Sequence, residues 1–142
     1  MTVNQVSVFI ENRQGRLGEV LEVLKNNSVN ILSMSLADTS EYGLLRLIVN
    51  DPKATRDMLI DSGFSSMLTE VLVIKIPHVS GALQKILSVI AKENISIEYM
   101  YGLSVASAGA SVVLKTNQLS RAIELLKREK IDTMTEEELF SA

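Results

Sequence analysis

The run Val6-Ser7-Val8-Phe9-Ile10-Glu11-Asn12-Arg13-Gln14-Gly15-Arg16-Leu17 returns 66 residues later as Leu72-Val73-Ile74-Lys75-Ile76-Pro77-His78-Val79-Ser80-Gly81-Ala82-Leu83. Each copy reads as a mostly apolar strand, a polar loop closed by glycine, and the first turn of a helix. Carried outward without a gap, the offset pairs Leu21 with Leu87, Val23 with Val89, Ile31 with Ile97, Met34 with Met100 and Gly43 with Gly109. It goes on to pair Leu59 with Leu125, Thr69 with Thr135 and Glu70 with Glu136. A period this long exceeds the roughly 20 to 50 residues of solenoid units. The expectation is a small domain written twice, over residues 1–70 and 71–142.

After each strand come Leu17, Val20, Leu21 and Leu24, or Leu83, Ile86, Leu87 and Ile90, the i, i+3, i+4, i+7 spacing of a helix with one buried stripe. Second strands are expected over 29–37 and 95–103, and third strands over 44–49 and 110–115, joined as hairpins. Asp51-Pro52 marks the start of a second helix, and Asn117 is expected to cap its counterpart. Ala54, Met58, Leu59 and Ile60 do not settle which face of the former is buried, whereas Leu119, Ala122, Ile123 and Leu126 do so for the latter. Last strands follow over 65–70 and 131–136. Each half is therefore βαββαβ, a ferredoxin-like α+β unit with a four-stranded antiparallel sheet and two helices on one face. Between Met67 and Ile76 no Gly, Ser or Pro supplies a hinge, so the halves are expected to hold a fixed, paired arrangement resembling a dimer.

Composition removes several classes of function. With 46% hydrophobic and 22% charged residues the chain reads as a soluble globular protein, and no apolar run approaches a membrane span. The absence of cysteine excludes disulfide and thiol chemistry, and no secretion signal is read at the start, which makes the cytoplasm the expected compartment. Net charge is −3 and basic residues are interleaved with acids, unlike the clustered cations of a nucleic-acid binder. His78 is the one histidine; it has no second ligand nearby for a metal, and with Ser80 it makes a weak nucleophile–base pair, so neither metal nor catalytic residue is expected.

The two glycine loops carry the candidate chemistry. A strand-to-helix turn presents unpaired N–H groups and the positive end of a helix dipole, both favourable to a carboxylate, and glycine lets a ligand approach the backbone.

These features together resemble the ACT domains, small-molecule-sensing regulatory modules of amino-acid metabolism. The carriers are Val6 to Leu17 with Val20, Leu21, Leu24 and Val29-Asn30-Ile31, and Ile74 to Leu83 with Ile86, Leu87, Ile90 and Ile95-Ser96-Ile97. Through Glu11-Asn12, Gly15 and Leu17 the first copy is similar to the ACT domain in regulatory subunits of acetohydroxyacid synthase; the tandem as a whole looks like the free-standing bacterial pairs. The resemblance implies a free amino acid bound at the seam between units, no cofactor and no catalysis. A metabolic enzyme would be its partner; unpaired edge strands add the expectation of a homodimer, and charge and hydropathy leave neither nucleic acid nor membrane among the partners.

Carried over by position, the ligand residues would be Asn12, Arg13, Gln14, Gly15, Arg16 and Leu17, with His78, Val79, Ser80, Gly81, Ala82 and Leu83. Gln14 and Ser80 stand where the family often has proline. The loop N–H groups would receive the α-carboxylate, and Asn12 or carbonyl oxygens the α-ammonium. Met34, Leu36, Tyr99, Met100 and Tyr101 could line the seam, although core packing is the simpler role for both methionines. Alternation is read as turning only one of Tyr99 and Tyr101 toward the helices. The leading reading is an amino-acid sensor that signals to another protein; its rival is a dissociable regulatory subunit that grips a biosynthetic enzyme.

Overall fold

Strand β1 (Val3–Glu11) buries Val6, Val8 and Ile10 on one face, as the alternation requires, and helix α1 (Arg16–Asn26) lays Val20 and Leu24 over them. In this computed structural model the described residues are 2–11, 14–38, 41–105 and 109–140, so Asn12 and Arg13 of the predicted site lie outside them. The chain divides into two units, Asn4–Thr69 and Met1–Val3 with Glu70–Ala142.

In the first unit β1 pairs antiparallel with β3 (Tyr42–Val49), and β3 with β2 (Ile31–Asp38), the outermost strand. On its other side β1 adjoins the first residues of β4 (Ser66–Lys75): the Phe9 N–H donates to the Ser65 carbonyl at 2.9 Å. Helix α2 (Pro52–Asp61) starts as expected, with the Asp51 carboxylate accepting from the Ala54 N–H at 3.2 Å. It buries Thr55 and Leu59 and leaves Ile60 exposed, which resolves its facing. Leu45, Leu47, Val49, Leu59 and Phe64 complete a core on the helix side of the sheet.

The second unit repeats the plan with β4, α3 (Ala82–Lys92), β5 (Tyr99–Val105), β6 (Gly109–Lys115) and α4 (Leu119–Arg128). β4 and β5 flank β6, both antiparallel to it, and Leu72, Ile74, Ile86, Ile90, Val112, Leu114 and Leu126 form its core. Three details depart from the sequence reading. The second strand begins at Tyr99 rather than at residue 95. The cap of α4 is Gln118, and it is the buried Thr116, not Asn117, whose Oγ1 accepts from the Gln118 N–H at 3.2 Å. The last strand contracts to a single bridge, Ile74 to Thr133, before helix α5 (Glu136–Phe140). Thr135 ends it: its Oγ1 accepts from the Glu138 N–H at 3.2 Å while Glu138 accepts from the Thr135 N–H at 3.3 Å, a reciprocal cap that outcompetes strand pairing.

The repeat is not gap-free. Val6 pairs with Leu47, whereas Leu72, 66 residues on from Val6, pairs with Leu114, which is 67 on from Leu47. Met34 opposite Leu47 and Met100 opposite Leu114 show the same step. The offset therefore grows from 66 on β5 to 67 on β6, and every later equivalence moves by one. Gly43, opposite Ile10, corresponds to Ala110, whose carbonyl accepts from the Ile76 N–H. Phe64, bonded to the Leu59 carbonyl, corresponds to Ile131, bonded to that of Leu126. The identities Gly43/Gly109, Leu59/Leu125, Thr69/Thr135 and Glu70/Glu136 are accordingly out of structural register.

Among the described residues no helix is long and apolar enough to cross a membrane.

Candidate functional site

Both strand-to-helix turns close on a left-handed glycine: Gly15 at φ 87° and ψ −11° before α1, Gly81 at φ 81° and ψ 3° before α3. An L side chain is strained there, which explains glycine in each copy. No side chain caps either helix. Among the described residues none accepts a hydrogen bond from the N–H of Leu17, Gly18, Leu83 or Gln84, since the first intrahelical bonds are Glu19 N–H to the Gly15 carbonyl and Lys85 N–H to the Gly81 carbonyl. A Cβ on either glycine would meet no atom within 4 Å, so the backbone faces open space. The electrostatics and the room needed by a carboxylate coincide at both turns.

The other predicted loop residues divide by role. Gln14, His78 and Ser80 are exposed and Val79 is 70% exposed, while Leu17 and Leu83 pack against their own cores. Arg16 is turned inward: its guanidinium contacts Glu19, and its Cζ lies 4.2 Å from the centroid of the buried Phe64 ring. His78 lies along the start of β6, with Nε2 3.4 Å from where a Cβ on Gly109 would stand.

The second turn borders a cavity of about 520 Å³, within the second unit, into which Pro77, His78 and Ala82 are brought together. Ile76, Ile86, Val89 and Ile131 give it an apolar lining, and Lys75, Lys85, Glu129, Lys130 and Asp132 supply charge. Its volume lies within the range of small-molecule sites. Sequence reasoning missed the wall formed by 129–132, because only the fold brings the end of α4 beside α3. No residue type announced it: Lys130, not a glycine, adopts φ 56°, the left-handed position that ends a helix, and the chain turns back there toward β4.

The whole chain, residues 1–142, matches the sequence model of the ACT domain pair. It belongs to that family. A solved protein of Bacteroides thetaiotaomicron is 37% identical to this ACT domain pair, superposes with a TM-score of 0.91, and is aligned over 100% of this chain and 98% of its own. The ligand-free regulatory subunit of aspartate kinase from Thermus thermophilus shares the fold at 12% identity and a TM-score of 0.59, over 88% of this chain and 91% of its own. The corresponding subunit from Thermus flavus gives 12% and 0.57, over 88% and 90%. None of the curated proteins compared matches the sequence.

The strand residues proposed for a seam have distinct surroundings in this ACT domain pair. Met34 and Leu36 are 42% and 49% exposed. They pair with the core residues Leu47 and Leu45, yet sit on the outermost strand where the helix layer does not cover them, so core packing does not describe Met34. Met100 does pack against the second core. Tyr99 and Tyr101 stack with centroids 6.5 Å apart and planes at 17°, sharing the face opposite Met100. The expectation that they part is thus corrected: residues two apart on a strand point the same way. None of these five lines the cavity.

One carboxylate in the second unit is electrostatically tuned. Hydrogen bonding from the Thr135 backbone N–H, then attraction to Lys75, whose Nζ is 3.5 Å from Oε2, holds Glu138 below its ordinary pKa of 4.5. Lys75 thereby ties α5 to the cavity wall. Among the described residues no group of three His, Cys, Asp or Glu side chains could hold a metal ion.

Proposed function

We propose that this ACT domain pair is a non-catalytic regulatory module that binds a free amino acid at its strand-to-helix turns and passes the signal to another protein. The observation that carries the reading is the duplicated turn: left-handed glycine, no capping side chain, open space and unpaired N–H groups recur at the same structural position in both units. The α-carboxylate is the anion such a turn favours, and a ligand shifts a regulatory equilibrium only insofar as it prefers one state. The test is amide-resolved NMR of the full chain during titration with each amino acid. Saturable shifts at Leu17–Gly18 or Leu83–Gln84 support the reading; spectra unmoved by all twenty refute it.

The exposed Met34 and Leu36 favour a second, compatible role, pairing of the β2 edge with another chain, either a second copy or an enzyme. The regulatory-subunit fold shared with the aspartate kinase proteins agrees with an enzyme partner. Met34→Lys with Leu36→Lys should convert an oligomer or complex to monomer in sedimentation; an unchanged assembly refutes the role.

A further inference from the structure

The two units also differ beside the start of the first helix, where the second unit has a chamber. In the first unit Arg16 extends over the Phe64 ring and contacts Glu19. The equivalent residues in the second unit are Ala82, Ile131 and Lys85, all on the wall of the 520 Å³ cavity. A large cation and a phenyl ring are thus replaced by a methyl group and a short branched chain, and the acid that partnered the cation by a base.

We infer that this chamber completes the second turn as an amino-acid pocket and that it selects an aliphatic side chain. The inference rests on the sensor reading above and gives it a place and a ligand class. Ile76, Ile86, Val89 and Ile131 receive a branched hydrocarbon, and the exposed His78 brings the one aromatic ring to the wall. Polar groups stand around that apolar surface: among the described residues Lys85 and Lys130 have no ion-pair partner and meet the carboxylate, while Glu129 and Asp132 meet the ammonium. The positive end of α3 adds to the pull on the carboxylate. The first unit carries its own built-in occupant, Arg16 over Phe64, so this second chamber is not duplicated there.

The first unit also supplies the test. Ala82→Arg, Lys85→Glu and Ile131→Phe together rebuild its plug inside the second unit. Calorimetry on the full chain with L-leucine, L-isoleucine, L-valine, L-glutamate, L-lysine and 4-methyl-2-oxopentanoate should show the three aliphatic amino acids binding best. The oxo acid, lacking the ammonium, should bind at least tenfold more weakly than leucine. The plugged variant, with circular dichroism unchanged, should lose leucine binding by a hundredfold or more. Lys85→Glu alone, at an exposed position that leaves the core intact, should weaken leucine at least tenfold and serves if the triple variant does not fold. A folded variant, plugged or Lys85→Glu, that binds leucine normally overturns the pocket while leaving amino-acid sensing in place. So does preferential binding of glutamate or lysine. Wild-type protein that binds no amino acid overturns both.

Discussion

The Arg16 guanidinium carbon sits 4.2 Å from the centroid of the Phe64 ring, joining the start of α1 to the segment that leaves α2. A cation over an aromatic face contributes about 0.5 to 1 kcal/mol at a partly exposed site. Arg16→Ala should therefore lower the stability of the first unit by about that amount, with the lost packing of the stem adding to it. Urea unfolding monitored by amides of residues 4–69 checks this, and an unchanged midpoint would show the contact to be energetically silent.

Gly15→Ala and Gly81→Ala test the turns without a steric complication, because a Cβ at either place would touch nothing within 4 Å. The cost is the left-handed backbone alone, about 1 to 2 kcal/mol for each. Equal losses in the two variants are expected. A variant with full stability would mean that the turn has relaxed to another conformation, which its amide shifts would reveal.

Thr116 is fully buried; its Oγ1 donates to the Ser96 carbonyl at 2.7 Å and accepts from the Gln118 N–H at 3.2 Å. Thr116→Val keeps the shape and strands both partners, so a loss of about 1 to 3 kcal/mol is expected. Equilibrium unfolding measures it.

Acid should release α5 before it melts the second core. Glu138 has its pKa lowered by folding, so the stabilisation it provides is complete above the ordinary value of 4.5 and is lost as pH falls through the lower folded value. Titration by NMR should show the Glu138 carboxyl and the Thr135 amide shifting together below pH 4.5, while core methyls of Leu72 and Leu114 stay in place. A Glu138 that titrates at or above its ordinary value contradicts the cap.

The repeated fold could be read before any coordinates because the positions that specify it are local: strand alternation at Val6, Val8 and Ile10, the helical stripe at Val20 and Leu24, and glycine where the backbone turns left-handed. The one-residue step in register was hidden. It falls between one strand and the next, where the apolar pattern of each strand is kept, and chance identities such as Thr69 with Thr135 masked it. The terminal strand failed for a competing local reason, the Thr135–Glu138 cap, which the apolar pattern does not weigh. At the candidate site the glycine turns were legible from their recurrence. The chamber was not, since its emptiness depends on the absence of an Arg16 equivalent at Ala82 and on a wall that is distant in the chain. Exposure of Met34 and Leu36 likewise follows from strand order, which residue periodicity does not encode.

The central claim is that this ACT domain pair recognises a free amino acid, and thermal unfolding of the full chain against all twenty, at millimolar concentrations, tests it most directly. A cognate ligand at 100 times its dissociation constant adds about 2.7 kcal/mol of stability, a shift of several degrees confined to one chemical group of amino acids. The account predicts that group to be leucine, isoleucine and valine; a melting temperature that stays fixed across the entire panel contradicts it.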